Sequence, residues 1–329
     1  MVPLGSLTKA LKAVPHLRSF QWFGLSPYLT WDIAEALAIH CKGLSDLRLP
    51  RSVIFFYDSS IEGLYRYLCR AMCRSAYLPI ALSGLQRLRS LSFMAIDNVD
   101  NGPCDAIDLH CSDNEGFQEV AEFITANMST LRTLILPGKE IWNLSVRVFS
   151  SLTELDIVGS SELSGLDLIF HHAVHLQSLI IEAEEDVELF TVLQNNSSAL
   201  PSLTSLKIIS SIFHTEDHLR AVKAFIEGRS MLRRLDLSLN PINWATFTSI
   251  LPAISDLRAL KALGMTMTLA ISTKEYTHFV EHFPNELEAI RLRVDLSDPV
   301  LDRGPLSVIV SHRFFTSKSV NAHGLLIDA

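Results

Sequence analysis

The nearest approach to a catalytic pattern in this 329-residue chain is His278-Phe-Val-Glu281-His282. Histidines at i and i+4 share one face of a helix and can ligate a single zinc ion, with the intervening glutamate as base. A zinc-dependent hydrolase built that way needs a further acidic ligand downstream, typically Glu, and no Glu follows Glu288. A metalloenzyme at His278 and His282 is therefore the remote reading. His171, His172 and His175 cluster in another segment and read as surface histidines. Cys69 and Cys73 share a helical face without a second Cys or His pair nearby, so core packing is expected of them. Between Asp97 and Glu122 lie eight acidic residues and no Lys or Arg. They lack the Asp-x-Asp-x-Asp-Gly spacing of a calcium loop and read as a solvated acidic loop. Glu182, Glu184, Glu185, Asp186 and Glu188 form a second such cluster. No Gly-rich phosphate loop, Gly-x-Ser-x-Gly elbow or kinase signature occurs. No catalytic residue, no metal and no cofactor is expected, and the chain reads as a non-enzyme.

Composition narrows the class. Hydrophobic residues make up 48% and charged residues 19%, too apolar a balance for a disordered chain. The formal net charge of −8 repels phosphate backbones, so no nucleic-acid partner is expected. The five cysteines, Cys41, Cys69, Cys73, Cys104 and Cys111, are odd in number and fit no disulfide framework, which points to free thiols in a reducing compartment. Asn-x-Ser sequons start at Asn127, Asn143, Asn195 and Asn196, but residues 1–17 hold no long apolar core of a signal peptide. No stretch approaches the roughly 18 apolar residues of a membrane span, so no membrane partner is expected. A cytoplasmic or nuclear location follows as the expectation.

The elements that would position any site are set by a repeat. Leu-x-x-Leu-x-Leu, with conservative exchanges, recurs at Leu17/Phe20/Trp22, Leu44/Leu47/Leu49, Leu88/Leu91/Phe93, Leu131/Leu134/Leu136 and Leu152/Leu155/Ile157. It continues at Leu176/Leu179/Ile181, Leu203/Leu206/Ile208, Leu232/Leu235/Leu237, Leu260/Leu263/Met265 and Leu287/Ile290/Leu292. Successive units start 27, 44, 43, 21, 24, 27, 29, 28 and 27 residues apart. Seven of these nine intervals fit a leucine-rich repeat of about 20–29 residues. The other two must hold insertions, near 51–84 and 97–127. In Leu-x-Leu both leucines point to one side of an extended strand and the spacer to the other. The fold expected is α/β, a leucine-rich-repeat solenoid (horseshoe) with a parallel β-sheet on the concave face and helices and irregular loops on the convex face. It would span 1–310 as a single domain of about ten units, followed by a tail over 311–329.

Return segments show helical spacing. Ser59-x-x-Glu62 and Ser112-x-x-Glu115 are capping boxes before apolar stripes. Leu219, Val222 and Ile226 precede Gly228, a helix stop. Asn243 is placed to cap a helix through Leu251, and Ser272-x-x-Glu275 to cap another that Pro284 ends. The short units over 131–181 leave room only for turns or 3₁₀ segments. The first strand, near Phe20 and Trp22, shows no polar cap before it, so an aggregation-prone N-terminal edge is expected. A last strand is expected over 306–310.

These motifs resemble the leucine-rich-repeat superfamily from about Val14 to Leu292. Leu232-Arg-Arg-Leu235-Asp-Leu237-Ser-Leu-Asn240 carries the full Leu-x-x-Leu-x-Leu-x-x-Asn pattern, and the other units lack the Asn. The uneven repeat lengths and free cysteines resemble the repeat regions of F-box proteins, especially the large fungal set. That resemblance implies a substrate-binding repeat region of an F-box-like ubiquitin-ligase receptor. The repeat begins by residue 14, so a ligase adaptor would be reached only through an F-box missing from this chain. The alternative is a repeat scaffold or sensor domain unrelated to ubiquitination.

The open face of the sheet is the expected protein-binding surface. Its central column and the positions beyond it supply Arg48, Ser92, Ile135, Asp156, Val158, Ile180, Lys207, Ile209, Asp236, Arg291 and Arg293. Ile135, Val158, Ile180 and Ile209 make its middle apolar, as partner sites often are.

Overall fold

Each leucine motif becomes a strand, and the residues between its first two leucines begin the pairing. From Leu44 to Ile290 the motif residues whose burial is described turn inward, while those of the first motif are half-buried. In a computed structural model, the residues described are 4–22, 31–50, 82–94, 115–137, 141, 144–160, 163, 165–183, 188–210, 215–239, 248–268, 282–295 and 306–311. Two compact units, Met1–Leu152 and Thr153–Ala329, each carry a stack of such strands.

In the first unit, α1 (Leu4–Ala13), β1 (Ser19–Gln21), α2 (Trp31–His40), β2 (Asp46–Pro50), β3 (Ser90–Met94), α3 (Glu115–Ala126), β4 (Thr133–Pro137) and α4 (Val146–Phe149) follow in order. The strands β1 to β4 pair in parallel, in sequence order. In the second unit, β5 (Glu154–Ser160), α5 (Leu166–His172), β6 (Ser178–Ala183), α6 (Glu188–Asn195), β7 (Ser205–Ser210), α7 (Glu216–Ile226), β8 (Arg234–Leu239), α8 (Leu251–Ser255), β9 (Ala262–Thr268), β10 (Ala289–Asp295) and β11 (Leu306–Ser311) follow. There β5 to β10 run parallel, and β11 closes antiparallel on β10. The expected final strand is present, and its reversed direction had no signature in the motif.

One backbone device recurs within each of the two compact units. The two N–H groups between the first leucines of a unit donate to a single carbonyl of the unit before. Ser45 and Asp46 donate to Arg18, and Thr204 and Ser205 to Gln177; Arg233 and Arg234 donate to Thr204, and Lys261 and Ala262 to Arg233, all at 2.7–3.0 Å. Only main-chain atoms take part, so those two positions accept any side chain, which is why the motif leaves them variable. The leucine ahead of them closes a tight turn: Leu152, Leu203 and Leu260 donate to the carbonyls of Phe149, Leu200 and Leu257.

Burial then alternates with a period of two. In β6 and β7 every second residue is buried and its neighbours are half-buried. Leu179, Ile181, Leu206, Ile208, Leu235 and Leu237 are all at most 3% exposed. Each contributes roughly 1.5–3 kcal/mol, too little to order a lone unit, so adjacent units must share the core.

Among the described residues the helices match their spacing with two corrections. The helix after Ser112-x-x-Glu115 forms as α3, burying Val120, Phe123 and Ile124. Helix α7 starts at a Thr215 capping box and stops before Gly228, at φ +76° in the left-handed region open to glycine. The short units over 131–181, however, carry α-helices of 4 and 7 residues rather than turns alone. Three apolar positions spaced by three and four suffice for one such turn, as Leu166, Ile169 and Phe170 show by their burial. The helix expected from Asn243 lies mostly outside the described residues; Thr248 is helical, and α8 follows from Leu251. Helix α1 was missed: Leu11 at its C-terminal end is buried, and its carbonyl accepts from the buried Cys41 thiol at 3.9 Å. A helix thus precedes β1 where a bare edge was expected. The helices expected after Ser59 and Ser272 lie outside the described residues, as do most of both insertions and the 311–329 tail beyond Ser311.

Candidate binding face

Strand alternation places the spacer residues of the second unit in level rows across the open face of its sheet. One row reads Asp156, Ile180, Lys207, Asp236, Gly264 and Arg291, each registered to the next. The next row holds Glu182, Ile209 and Ser238. Val158 stands two residues beyond Asp156, where the β5–β6 register shifts. Val158, Ile180, Lys207, Ile209, Asp236 and Arg291 are all half-buried, so they reach solvent from one side of the sheet.

The row contains a closed ion pair. Arg291 Nη2 donates to both Asp236 carboxylate oxygens at 2.7 and 2.6 Å and to Ser238 Oγ at 3.0 Å. Ser238 Oγ in turn donates to Asp236 Oδ1 at 3.1 Å. The partners stand two strands apart, with Gly264 of β9 between them. A Cβ at Gly264 would lie 2.6 Å from Asp236 Oδ1, so the pair closes over this position because it has no side chain. Gly264 itself is buried beneath it.

The other carboxylate of the row behaves differently. Burial pushes Asp156 up to about 6; Lys207 opposes that shift and Glu182 adds to it. Asp156 and Lys207 also stand two strands apart, but the branched Ile180 lies between them, and they form no ion pair.

Beside the closed pair the face sinks into a groove of about 300 Å³. Its floor is low because Ser205, Ala262, Gly264 and Ala289 are small, and Lys207, Arg234 and Arg291 are among its lining. Arg234 was not among the expected site residues. It sits two residues before Asp236, so the same alternation that marks the spacers also marks it.

In the first unit, Arg48, Ser92 and Ile135 also share a register row. Arg48 lies 3.5 Å from Asp46, and Ile135 is half-buried. Ser92 departs from expectation: it is 0% exposed, and its hydroxyl has no hydrogen-bond partner. Periodicity fixes the side of the sheet on which a residue stands, not how exposed a side chain on that side is. Ser92 therefore does not belong to an accessible wall. Arg293 takes its place on β10, paired in register with Thr266.

Polar clamps on the far side of the sheet also went unforeseen. The buried Asn127 amide donates to Leu85 O at 2.9 Å and Phe123 O at 3.1 Å, and its Oδ1 accepts from Leu88 N at 3.1 Å. This sequon asparagine is committed to the preceding unit and cannot accept a glycan while folded. In the second unit Arg229 donates to Leu200, Ser197 and Ala199 carbonyls at 2.9, 3.1 and 2.7 Å, and to Phe225 O, while its guanidinium stacks on the Phe225 ring at 3.9 Å. Burial pulls Arg229 down to about 10. Of the zinc-like motif, His278 and Glu281 lie outside the described residues and His282 is half-buried. No described helix is long and apolar enough to cross a membrane.

Stacked parallel strands, inward leucines and a return helix in most units define a leucine-rich-repeat type of α/β fold. No protein-family description matches the chain, and no curated protein does. Among solved structures, a chain from the crystal structure of the Rad7 and Elc1 complex in yeast is similar in fold at 14% identity. It covers 87% of this chain and 82% of its own length with a TM-score of 0.47.

Proposed function

We propose that the second unit is a protein-recognition module that binds its partner across the open sheet face and performs no covalent chemistry. One observation carries this reading. Val158, Ile180 and Ile209 stand partly in solvent beside Asp156, Lys207, Asp236 and Arg291, on a face that the repeat has no structural need to make apolar. Partly exposed apolar side chains grouped among charges are what a partner can desolvate.

The finer reading is the substrate-binding repeat region of an F-box-like ubiquitin-ligase receptor acting in the cytoplasm or nucleus. Its support is the sequence resemblance, above all the Leu232–Asn240 unit and the uneven repeat lengths, together with a buried free thiol at Cys41. The test is site-specific photo-crosslinking in cells, with the crosslinker at Ile180 or, on the helical side, at the exposed Leu168. A discrete protein adduct from Ile180 that is lost in Ile209→Asp and absent from Leu168 supports the reading. Equal adducts from both positions, or none from Ile180, count against it. Ubiquitin-ligase subunits among the co-purifying proteins would support the finer reading, and their absence from a specific adduct would remove it.

A further inference from the structure

We propose that the groove beside the Asp236–Arg291 pair receives an acidic side chain of a protein partner, its carboxylate lying between Lys207 and Arg234 above the small-residue floor. The proposal rests on the recognition reading above and names the chemistry of the partner.

Three observations lead to it. The groove exists because small residues stand in register on neighbouring strands: Ala262 with Ala289 on one row, flanked by Arg234 and then Ser205, and Gly264 on the next. A side chain can therefore descend to the sheet there, whereas Ile180, at the groove's rim, stands between Asp156 and Lys207. The lining is cationic on balance. Asp236 is neutralised by Arg291, whereas Lys207 and Arg234 are in no ion pair among the described residues. Finally, this local excess sits in a chain whose net charge is −8, so the rest of the surface repels acidic partners and the groove is an exception that would set register. The groove lies over β7 to β10, each paired on both sides, so it offers side chains rather than a strand edge, and recognition here comes from charge-assisted hydrogen bonds to a carboxylate.

The test uses the full chain and a short fluorescent peptide of alternating Glu and Ala, with Gln–Ala and Lys–Ala counterparts, read by anisotropy at low salt. The Glu peptide should bind at least about tenfold more tightly than either counterpart. Lys207→Glu with Arg234→Glu should abolish that preference. Arg220→Glu with Lys223→Glu on α7, an equal charge change on the helical side, should leave it within about twofold. If charge reversal unfolds the chain by circular dichroism, Lys207→Met with Arg234→Met replaces it with the same expected loss. No preference for Glu over Gln, or an equal loss in the α7 variant, overturns the proposal. So does tighter binding of a single-stranded oligonucleotide that depends on Lys207 and Arg234. A specific crosslink at Ile180 together with no Glu preference would leave the recognition reading standing and remove this proposal alone.

Discussion

Asp156 and Asp236 occupy the same register row of the second unit, and each faces a cation two strands away, yet only Asp236 is paired. The residue on the intervening strand accounts for the difference. At Gly264 nothing rises from the sheet, and Arg291 reaches across to close a two-oxygen contact. At Ile180 a branched side chain stands in the way, so Lys207 acts on Asp156 only through space, and burial holds that carboxyl up to about 6. Two charges in equivalent places thus have opposite fates because of one side chain that carries no charge. On an open sheet face, the spacer's size decides whether neighbouring charges neutralise each other or stay available to a partner.

Exchanging the spacers should break this contrast. Gly264→Ile places a Cβ within 2.6 Å of the Asp236 carboxylate. It should open the pair and destabilise the unit by about 2–3 kcal/mol, as overpacking does, read by urea denaturation. An unchanged midpoint would mean that the pair is not closed over Gly264.

Asp156 supplies the next effect. Its folded-state value is raised, so the folded protein holds this proton more tightly than the unfolded chain does. Stability from this group is therefore greatest at low pH, falls as pH rises from about 4 to about 6, and is constant above that. The groups acting on it are Lys207 and Glu182. Asp156→Asn should stabilise the protein at pH 7 by about 1–2 kcal/mol, after allowance for solvent screening, and remove this part of the pH dependence. A variant less stable than the parent at pH 7 would contradict the assignment.

Ile180→Gly should let Lys207 approach Asp156 and lower its titration midpoint by about one unit, as followed by carboxyl NMR. A midpoint that stays near 6 would make burial alone, without the spacer, responsible. Smallest is Asp236→Asn, which removes one charge of a partly exposed pair and should cost about 0.5–1 kcal/mol. A much larger loss would show that Arg291 is left stranded in a drier setting than its exposure indicates.

Most of the fold was legible because its cause is local. Leu-x-Leu can bury both leucines only as a strand, and the interval between motifs leaves room for one return segment, so strand positions and parallel order follow from spacing. The face row was legible for the same reason, from Asp156 to Arg291. What stayed hidden depends on distant contacts. Ser92 has the right parity, yet it is fully buried, and parity alone does not set exposure. Gly264 looks like a gap in the column until the lengths of Asp and Arg are compared across two strands. Arg234 stands before the strand leucines rather than between or after them, yet it shares the parity and the face of Asp236. Asn127 and Arg229 clamp carbonyls 30 or more residues away in the chain, and no periodicity marks such partners.

The most direct test of the inward-leucine account is site-resolved thiol labelling of single cysteine substitutions along β7 and β8 of the full chain. Ser205→Cys, Lys207→Cys, Arg234→Cys and Ser238→Cys should label within minutes under native conditions, while Leu206→Cys, Ile208→Cys and Leu235→Cys stay protected until the protein is denatured. Labelling that ignores this alternation, or protects the spacers and exposes the leucine positions, would contradict the fold and every binding claim built on it.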